Sequence, residues 1–279
     1  MDFNKILLEE RRKLRHELLS SSASSSTGIS SKSISKVLKP KHQTLCSSDT
    51  NVHTINFKVD ELFKIEDYRV GTAPNMFYVQ DVISEEDEIM LSTLIEVAGE
   101  EDNERWRQLR NRRLQCWGNF PLSGDRRSEE LASENEEFIP IWLENIINEL
   151  IGNGIFDESL RPNNILVNQY TADQGILHHT DGPIYHDKVA ILSLQSDCLM
   201  TFRSNLSPSE IGEKYGGDLF SVLLRRRSLL VFSKDVYSQL LHGIEPDKEE
   251  IVIGWNDCEC VNKEVAGVED GDTVRLIHA

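Results

Sequence analysis

One stretch of twenty residues, Asn164–Pro183, constrains this chain more than any other. It begins with an apolar run typical of a strand, crosses a polar turn, and continues into the sequence His-His-Thr-Asp. Residues two apart in an extended chain point to the same face, so His179 and Asp181 are predicted to lie side by side. One imidazole and one carboxylate supply two of the three ligands of a 2-His-1-carboxylate site for non-haem Fe(II). The third ligand must come from elsewhere in the chain.

His242 is the best candidate for that third ligand. It follows the apolar pair Leu240-Leu241, precedes Gly243, and comes four predicted strands after Asp181. A β-roll of four strands is long enough to bring His242 back beside His179 and Asp181. The other histidines are less suitable: one points to the opposite strand face, one lies in a loop, three fall in a region predicted to be disordered, and one is at the end of the sequence (His178, His186, His16, His42, His53, His278).

The segments between Asp181 and His242 predict an all-β unit. Apolar runs at 188–194, 198–202, 218–224 and 228–233 are short and are not separated by helical patterns, which indicates a sandwich or barrel. Arg225-Arg226-Arg227 joins the last two runs and is expected to be solvated. Two helices are predicted earlier, one starting at Ser84 and ending near Gly99, the other over 138–151. The fold class is therefore mainly β with flanking helices (α+β).

The second predicted helix has an amphipathic pattern. Its buried stripe is expected to comprise five apolar residues (Ile141, Trp142, Ile146, Leu150 and Ile151), with Pro140 near the first turn.

Composition narrows the classes of function. The chain of 279 residues is 39% hydrophobic, enough for a core, and contains no apolar run of about 18 residues that would span a membrane. Its N-terminus lacks the apolar segment of a signal peptide. Five scattered cysteines predict reduced thiols in the nucleus or cytoplasm. A net charge of −17 argues against a general nucleic-acid binder but not against a local basic patch.

Such a patch occurs in residues 105–118, which hold five arginines and two tryptophans. Arginine pairs with phosphate oxygens and indole rings stack on bases, so this segment is a candidate nucleic-acid surface. Two alternatives stay open. The arginines pair with the chain's own 47 acidic residues, or Trp117 is a core residue.

Three regions are predicted along the chain. Residues 1–67, rich in Ser and Lys, are expected to be disordered because they offer little apolar surface to bury. Residues 68–160 are predicted to form an N-terminal extension with helices. Residues 161–279 are predicted to form the β-rich core that holds the candidate metal ligands.

Several motifs, in this order, resemble the AlkB family of Fe(II)/2-oxoglutarate-dependent dioxygenases, and most of all its AlkB homologue 6 branch. They are Asn168-x-Tyr170, His179-x-Asp181 followed by Gly182-Pro183, and the Leu-His-Gly-Ile sequence around His242. The segments RVG, LRNRRLQCWG, VAILSL and RSLLVF are also similar to that branch. The resemblance covers roughly residues 68–246.

The resemblance implies a double-stranded β-helix, or jelly roll. Fe(II) would be held by His179, Asp181 and His242. Asn168 and Tyr170 would hydrogen-bond 2-oxoglutarate, and Arg275 would pair with its distal carboxylate. The segment around 110–118 is similar to the family's substrate-facing lid, which implies substrate-binding roles for four residues (Arg110, Arg112, Arg113 and Trp117).

The family reaction uses O2 to convert 2-oxoglutarate to succinate and CO2 and to hydroxylate a substrate C–H bond, typically an N-methyl group that is then lost as formaldehyde. The implied partners are methylated DNA or RNA and the two co-substrates, with no membrane. A monomer is expected.

One motif departs from the family pattern. Arg275 has no following Ser and Thr, and the second arginine of the closing motif would lie beyond Ala279. Either the sequence is incomplete at this end or 2-oxoglutarate binding is weak. Two alternatives to nucleic-acid demethylation therefore remain: a catalytically weak or inactive binding module, and a protein or small-molecule hydroxylase on the same iron site.

Overall fold

The computed structural model describes residues 54–101, 105–119, 139–171, 173–183, 185–204, 219–246, 250–254 and 258–275. Within these ranges the α-helices are α1 (Glu85–Glu101), α2 (Ile141–Gly152), α3 (Asp235–Gln239) and α4 (Lys263–Ala266). The strands are β1 (Met76–Val79), β2 (Arg107–Gln108), β3 (Arg113–Gly118), β4 (Asn164–Gln169), β5 (Ile176–His179), β6 (Lys188–Leu192), β7 (Cys198–Ser204), β8 (Leu219–Leu224), β9 (Leu229–Ser233), β10 (Leu240–Ile244), β11 (Glu250–Val252), β12 (Glu259–Cys260) and β13 (Thr273–Arg275). Residues 205–218, between β7 and β8, lie outside the described residues, as does 1–53 of the region predicted to be disordered.

Two sheets sandwich the central core. One has the strand order β1-β9-β6 and the other β12-β8-β7-β10-β5. β9 is buried along its whole length: Leu230 and Phe232 point into the core between the sheets, and Leu229 and Val231 point to the helical side. This alternation follows from the two-residue period of a strand. The predicted class, mainly β with flanking helices and a jelly-roll core, is confirmed.

Helices α1 and α2 cover the outer face of the three-stranded sheet, together with a third sheet of order β2-β3-β4. α1 begins as predicted. The backbone N–H of Asp87 donates to Ser84 Oγ at 3.0 Å, and the N–H of Ser84 donates to Asp87 Oδ2 at 3.3 Å, so each side chain caps the other's backbone. No helix in the described ranges is long and apolar enough to cross a membrane.

The buried stripe of α2 differs from the prediction. Ile141 is 51% exposed, and the stripe comprises Trp142, Leu143, Ile147 and Leu150. The helix begins only at Ile141, after Pro140, and turns its buried face toward Trp117, whose ring meets that of Trp142 edge-on at 5.7 Å. The spacing of the apolar residues predicted the helix, whereas the contact with Trp117 determined which face of the helix is buried.

The packed domain begins earlier than predicted. Ile55, Phe57 and Ile65 are buried in the helical-side core, although the sequence assigned them to the disordered region 1–67. The N–H of Phe57 also donates to Glu149 Oε2 at 2.7 Å. The predicted boundary is wrong for residues 54–67, because a few well-spaced apolar side chains are sufficient when a core already exists for them to join.

The turn between β8 and β9 is also not simply solvated. Arg226 Nη2 lies 2.5 Å from Glu88 Oε2, Arg227 Nη1 lies 3.4 Å from the same oxygen, and the Glu88 side chain has no exposed surface. Arg225 pairs with Asp197 at 2.6 Å. These arginines therefore attach the turn to α1 and to the β6–β7 connection.

Candidate metal centre

The three predicted metal ligands meet at one end of the five-stranded sheet. β5 and β10 are antiparallel neighbours, and their register places His179 directly opposite His242. Asp181 follows two residues after His179, beyond the end of β5. On the side away from β5, β10 pairs with β7, and His242 lies opposite Phe202 there. His242 therefore has a neighbouring strand on each side, and the residue is only 7% exposed. The strand pairing therefore brings together ligands that are far apart in sequence.

The geometry suits a cation. Nε2 of His179 and Nε2 of His242 each lie 3.7 Å from Oδ1 of Asp181, and one ligand atom from each residue lies within 4.8 Å of the others. These separations are too long for hydrogen bonds. The atoms therefore do not satisfy one another, and they surround a space in which a divalent ion would contact all three. Two imidazoles and a carboxylate on one side of such an ion leave its remaining positions open.

A backbone contact fixes the orientation of His179. Its Nδ1 lies 2.8 Å from the carbonyl oxygen of Leu177. Because a carbonyl oxygen only accepts, Nδ1 carries the proton and Nε2 presents its lone pair toward Asp181. A partner on the far ring nitrogen is the usual way in which proteins hold a histidine ligand in the correct tautomer.

The protonation of the site also favours a metal. Burial, reinforced by the neighbouring His179 and His178, lowers the pKa of His242 to about 4, so its ring is neutral at physiological pH. Burial raises the pKa of Asp181, and His179 partly opposes that rise. A neutral imidazole can coordinate a metal at once, and a cation would compensate the cost of burying the carboxylate.

His178 lies on the other face of β5, as the sequence predicts. Its Nε2 is 2.8 Å from Thr201 Oγ1, and its Nδ1 is 3.8 Å from a carboxylate oxygen of Glu245. His178 therefore contacts side chains on the outer face of the five-stranded sheet. The sequence did not single out Thr201, because a threonine in a strand carries no signal of its partner.

The two residues predicted to bind 2-oxoglutarate lie together at the end of β4 and beside an arginine. Asn168 Oδ1 accepts a hydrogen bond from Arg112 Nε at 3.0 Å. Burial raises the pKa of Tyr170 to about 12, and Arg112 is the largest influence in the opposite direction. Asn168, Tyr170 and Arg112 thus form one polar cluster. Their role in co-substrate binding stays a prediction.

The remaining lid residues differ from one another. Arg110 is exposed. Arg113, on the opposite strand face from Arg112, pairs with Glu96 at 2.9 Å and lies 4.2 Å from the centre of the Trp106 ring. Arg113, although 35% exposed, is therefore held against Glu96 of α1 and the Trp106 ring, whereas the structure shows neither contact for Arg110 and Arg112 among the described residues.

Trp117 belongs to the core. Its side chain is 7% exposed, its Nε1 donates to Gln115 Oε1 at 3.1 Å, and the Arg105 guanidinium lies 4.0 Å from its ring centre. This is the structural alternative that the sequence left open. The indole that could have stacked on a base instead connects β3 to α2.

Arg275 lies apart from the site. Its strand, β13, pairs only with β11 among the described strands, and this two-stranded sheet packs on the outer face of the five-stranded sheet through Val274 and Ile251. The Arg275 side chain is exposed. No contact within the described part of the chain joins it to Asn168 or Tyr170, and its predicted role in binding 2-oxoglutarate stays untested.

Similarity to a known protein decides the family. The chain is 31% identical over 215 residues to the probable RNA/DNA demethylase ALKBH6 of Danio rerio, a match that covers 75% of this chain and 85% of that protein. The chain belongs to the AlkB family, in its ALKBH6 branch. The family expected from the Asn-x-Tyr, His-x-Asp and Leu-His-Gly motifs is therefore confirmed.

More distant AlkB relatives share part of the chain. The tRNA (carboxymethyluridine(34)-5-O)-methyltransferase ALKBH8 of Macaca fascicularis is 26% identical over 181 residues, which are 64% of this chain but 25% of that protein. No family model matches the chain. The solved structure of OsALKBH1 aligns with 72% of this chain and 95% of its own at 17% identity and a TM-score of 0.46. Family membership rests on the sequence match and not on this likeness.

Proposed function

We propose that this protein is an Fe(II)- and 2-oxoglutarate-dependent dioxygenase that oxidatively demethylates an alkylated nucleic acid. The observation that carries the proposal is the convergence of His179 Nε2, His242 Nε2 and Asp181 Oδ1 around one space. The name of the zebrafish relative, an RNA/DNA demethylase, supports the substrate class.

The residues of the chain have separate tasks in this reaction. His179, Asp181 and His242 would hold Fe(II), which supplies oxidation of a C–H bond coupled to decarboxylation of 2-oxoglutarate. Asn168 and Tyr170 would orient the 2-oxo acid, because amide and phenol groups can donate to carboxylate oxygens. A buried Tyr170 with a raised pKa stays protonated and therefore remains a donor.

Arg110 and Arg112 would bind the phosphate backbone. Arg112 donates to Asn168, and Arg110, two residues before Arg112, is exposed. Among the described residues, neither forms an ion pair such as that of Arg113 with Glu96. A methylated base in a duplex would first have to leave the stack, so a single strand costs less to bind in the pocket. The net charge of −17 makes these local cations the more important for attracting an anionic substrate.

The activity is tested with the full chain, Fe(II), 2-oxoglutarate and N-methylated single-stranded oligonucleotides. We expect succinate and formaldehyde to form in equal amounts, and we expect His242→Ala to abolish both. Succinate release with no formaldehyde from any DNA or RNA oligonucleotide would reject the nucleic-acid substrate and favour a protein or small-molecule hydroxylase.

The substrate surface is tested by the double variant Arg110→Glu/Arg112→Glu. We expect it to weaken binding of a single-stranded oligonucleotide and to reduce the salt slope of log K by about 0.7 for each phosphate that is no longer neutralised. Lys58→Glu, an exposed lysine of the N-terminal segment, is the control for a change of charge alone. An unchanged salt slope in the double variant would contradict the proposed surface.

The location of Arg275 favours a second candidate, a binding module without efficient turnover. This arginine is exposed and lies on the two-stranded sheet of β11 and β13. Calorimetry separates the candidates: micromolar binding of 2-oxoglutarate, about −8 kcal/mol, that is lost in Arg275→Ala would favour the enzyme. Undetectable binding to the Mn(II)-loaded protein would favour the module.

A further inference from the structure

A buried tyrosine contacts the backbone next to the predicted metal ligands. The hydroxyl of Tyr237 donates a hydrogen bond to the carbonyl oxygen of Gly182, at 2.6 Å, and Gly182 directly follows Asp181. Tyr237 lies on α3 and is 5% exposed, packed in the core between the two sheets. Its hydroxyl therefore reaches the metal-binding end of the sheet from a rigid position.

The backbone after Asp181 needs such support. Gly182 has a φ of +84°, a conformation that residues with a side chain rarely adopt, and no heavy atom of the described residues lies within 4 Å of the position of a Cβ. The glycine is therefore required by the shape of the turn and not by lack of space. Asp181 lies outside any strand, so no ladder of hydrogen bonds holds this turn in place.

The Asp181 carboxylate has little other support. The ring nitrogens of His179 and His242 are both 3.7 Å from its Oδ1. Within the ranges that the structure describes, no hydrogen bond fixes the rotamer of Asp181. The direction of the carboxylate consequently depends on the backbone that carries it.

The same segment of chain holds the other histidine ligand. α3 runs directly into β10, which carries His242. Just before α3, the N–H of Lys234 donates to the carbonyl oxygen of Asp187 at 3.0 Å. The connection from β5 to β6 is thus held by the α3 segment at two points, near Asp181 through Tyr237 and near β6 through Lys234.

We propose that Tyr237 is a positioning residue that sets the direction of Asp181 relative to His242 and thereby the affinity of the site for a divalent cation. This inference rests on the proposed function, because it assumes a metal at these three residues. Partners behind a metal ligand typically change metal affinity 10- to 100-fold. Because Tyr237 acts through the backbone of Gly182, we expect an effect near the lower limit of that range.

The test is Tyr237→Phe in the full chain, which removes one hydroxyl and keeps the ring. The matched control is Tyr78→Phe: Tyr78 is also buried in the core between the sheets, and its hydroxyl oxygen accepts a hydrogen bond from the N–H of Arg225 at 3.2 Å. Mn(II) alone is titrated into each metal-free protein at 10 °C, and the visible absorption of the Co(II) forms is recorded. Unfolding is followed by circular dichroism.

We expect Tyr237→Phe to bind Mn(II) about tenfold more weakly and to show altered Co(II) bands, while Tyr78→Phe keeps wild-type affinity and bands. Equal affinity in Tyr237→Phe and wild type, or equal losses in the two variants, would overturn the inference. A Tyr237→Phe protein unfolded at 10 °C would also overturn it, since the hydroxyl would then serve the fold. A wild-type protein that fails to bind Mn(II) would instead reject the proposed metal centre itself.

Discussion

Two groups of buried polar side chains in this molecule have opposite arrangements. Around Glu88, two arginines lie at 2.5 and 3.4 Å from one carboxylate oxygen, and the N–H of Gln195 donates to the other at 2.7 Å. Around Asp181, two imidazole nitrogens lie at 3.7 Å and form no hydrogen bond with the carboxylate. In the Glu88 group the charged atoms are paired with one another. In the Asp181 group the ligand atoms point toward a common space without contacting one another.

This difference separates structure from function. A buried carboxylate with its cations in contact needs nothing further and holds elements together. The partly buried Asp181 carboxylate forms no hydrogen bond with either imidazole, and burial keeps one of them, that of His242, neutral. Its charge is therefore poorly compensated, which is costly unless a cation binds. Burial alone does not separate the two groups, because both contain nearly inaccessible side chains; the separation lies in the contact distances and in the charges of the partners.

The largest effect is expected from Asp181→Asn. Replacing the carboxylate by an amide removes the charged ligand, so Mn(II) affinity should fall by more than about 100-fold, beyond the usual cost of losing an outer partner. The free energy of unfolding of the metal-free protein should not fall, because a buried and poorly compensated charge has been removed. Calorimetric titration and urea unfolding measure the two quantities.

A large loss of stability in metal-free Asp181→Asn would break the comparison, since it would make Asp181 a structural residue like Glu88. The control is Asp60→Asn, an exposed aspartate of the N-terminal segment, which should change neither quantity.

Glu88→Ala should have the converse effect. It leaves Arg226 and Arg227 without their shared buried partner and should lower the free energy of unfolding by about 3 kcal/mol, the lower end for a broken buried pair because both arginines are partly exposed. Mn(II) affinity should be unchanged. Urea denaturation and the same Mn(II) titration measure these two outcomes.

Glu85→Ala provides the matched control for Glu88→Ala. Glu85 lies 3.6 Å from the same Arg226 but is 58% exposed, so its loss should cost less than about 1 kcal/mol. Equal losses of stability in the two variants would show that burial of Glu88 is not what makes its ion pairs matter.

The smallest effect is expected from pH. The pKa of His242 is about 4 in the folded protein against an ordinary value of 6.5. The unfolded chain therefore binds more protons between these values, and stability falls as pH decreases through that window. From pH 7 to pH 5 the metal-free wild type should lose about 2 kcal/mol more than His242→Gln.

Urea unfolding in EDTA at the two pH values measures this difference between wild type and His242→Gln. If the free energies of unfolding of the two proteins changed equally with pH, burial would not be holding His242 neutral. The contrast between the Asp181 group and the Glu88 group would then be weaker. Well above pH 6.5 the ring is neutral in both states, so no difference is expected there.

Much of this architecture follows from local sequence patterns. Short apolar runs predicted the strands β6 to β9, and Ser84 predicted the start of α1, because both signals act within a few residues. The pairing of His179 with Asp181 required only the period of an extended chain. The sequence also indicated His242, through its place after four strands.

Only the tertiary structure decided which of the remaining candidates face a site. Arg112 and Arg113 are adjacent and identical in type, yet one donates to Asn168 and the other is fixed against Glu96 and Trp106. The sequence contains no sign of that division, because it depends on what lies across each face of β3.

The sequence by itself determined that this chain has β-strands, a helix capped at Ser84, and a histidine and an aspartate two residues apart whose side chains lie together. The tertiary structure decided that β5 and β10 are neighbours in register, that Trp117 is a core residue, and that Tyr237 reaches Gly182. The physical reason is the distance along the chain over which each effect acts. Dihedral preferences and periodicity act between near neighbours in the chain, whereas a site is assembled by strand pairing and packing between residues that only the folded core brings together.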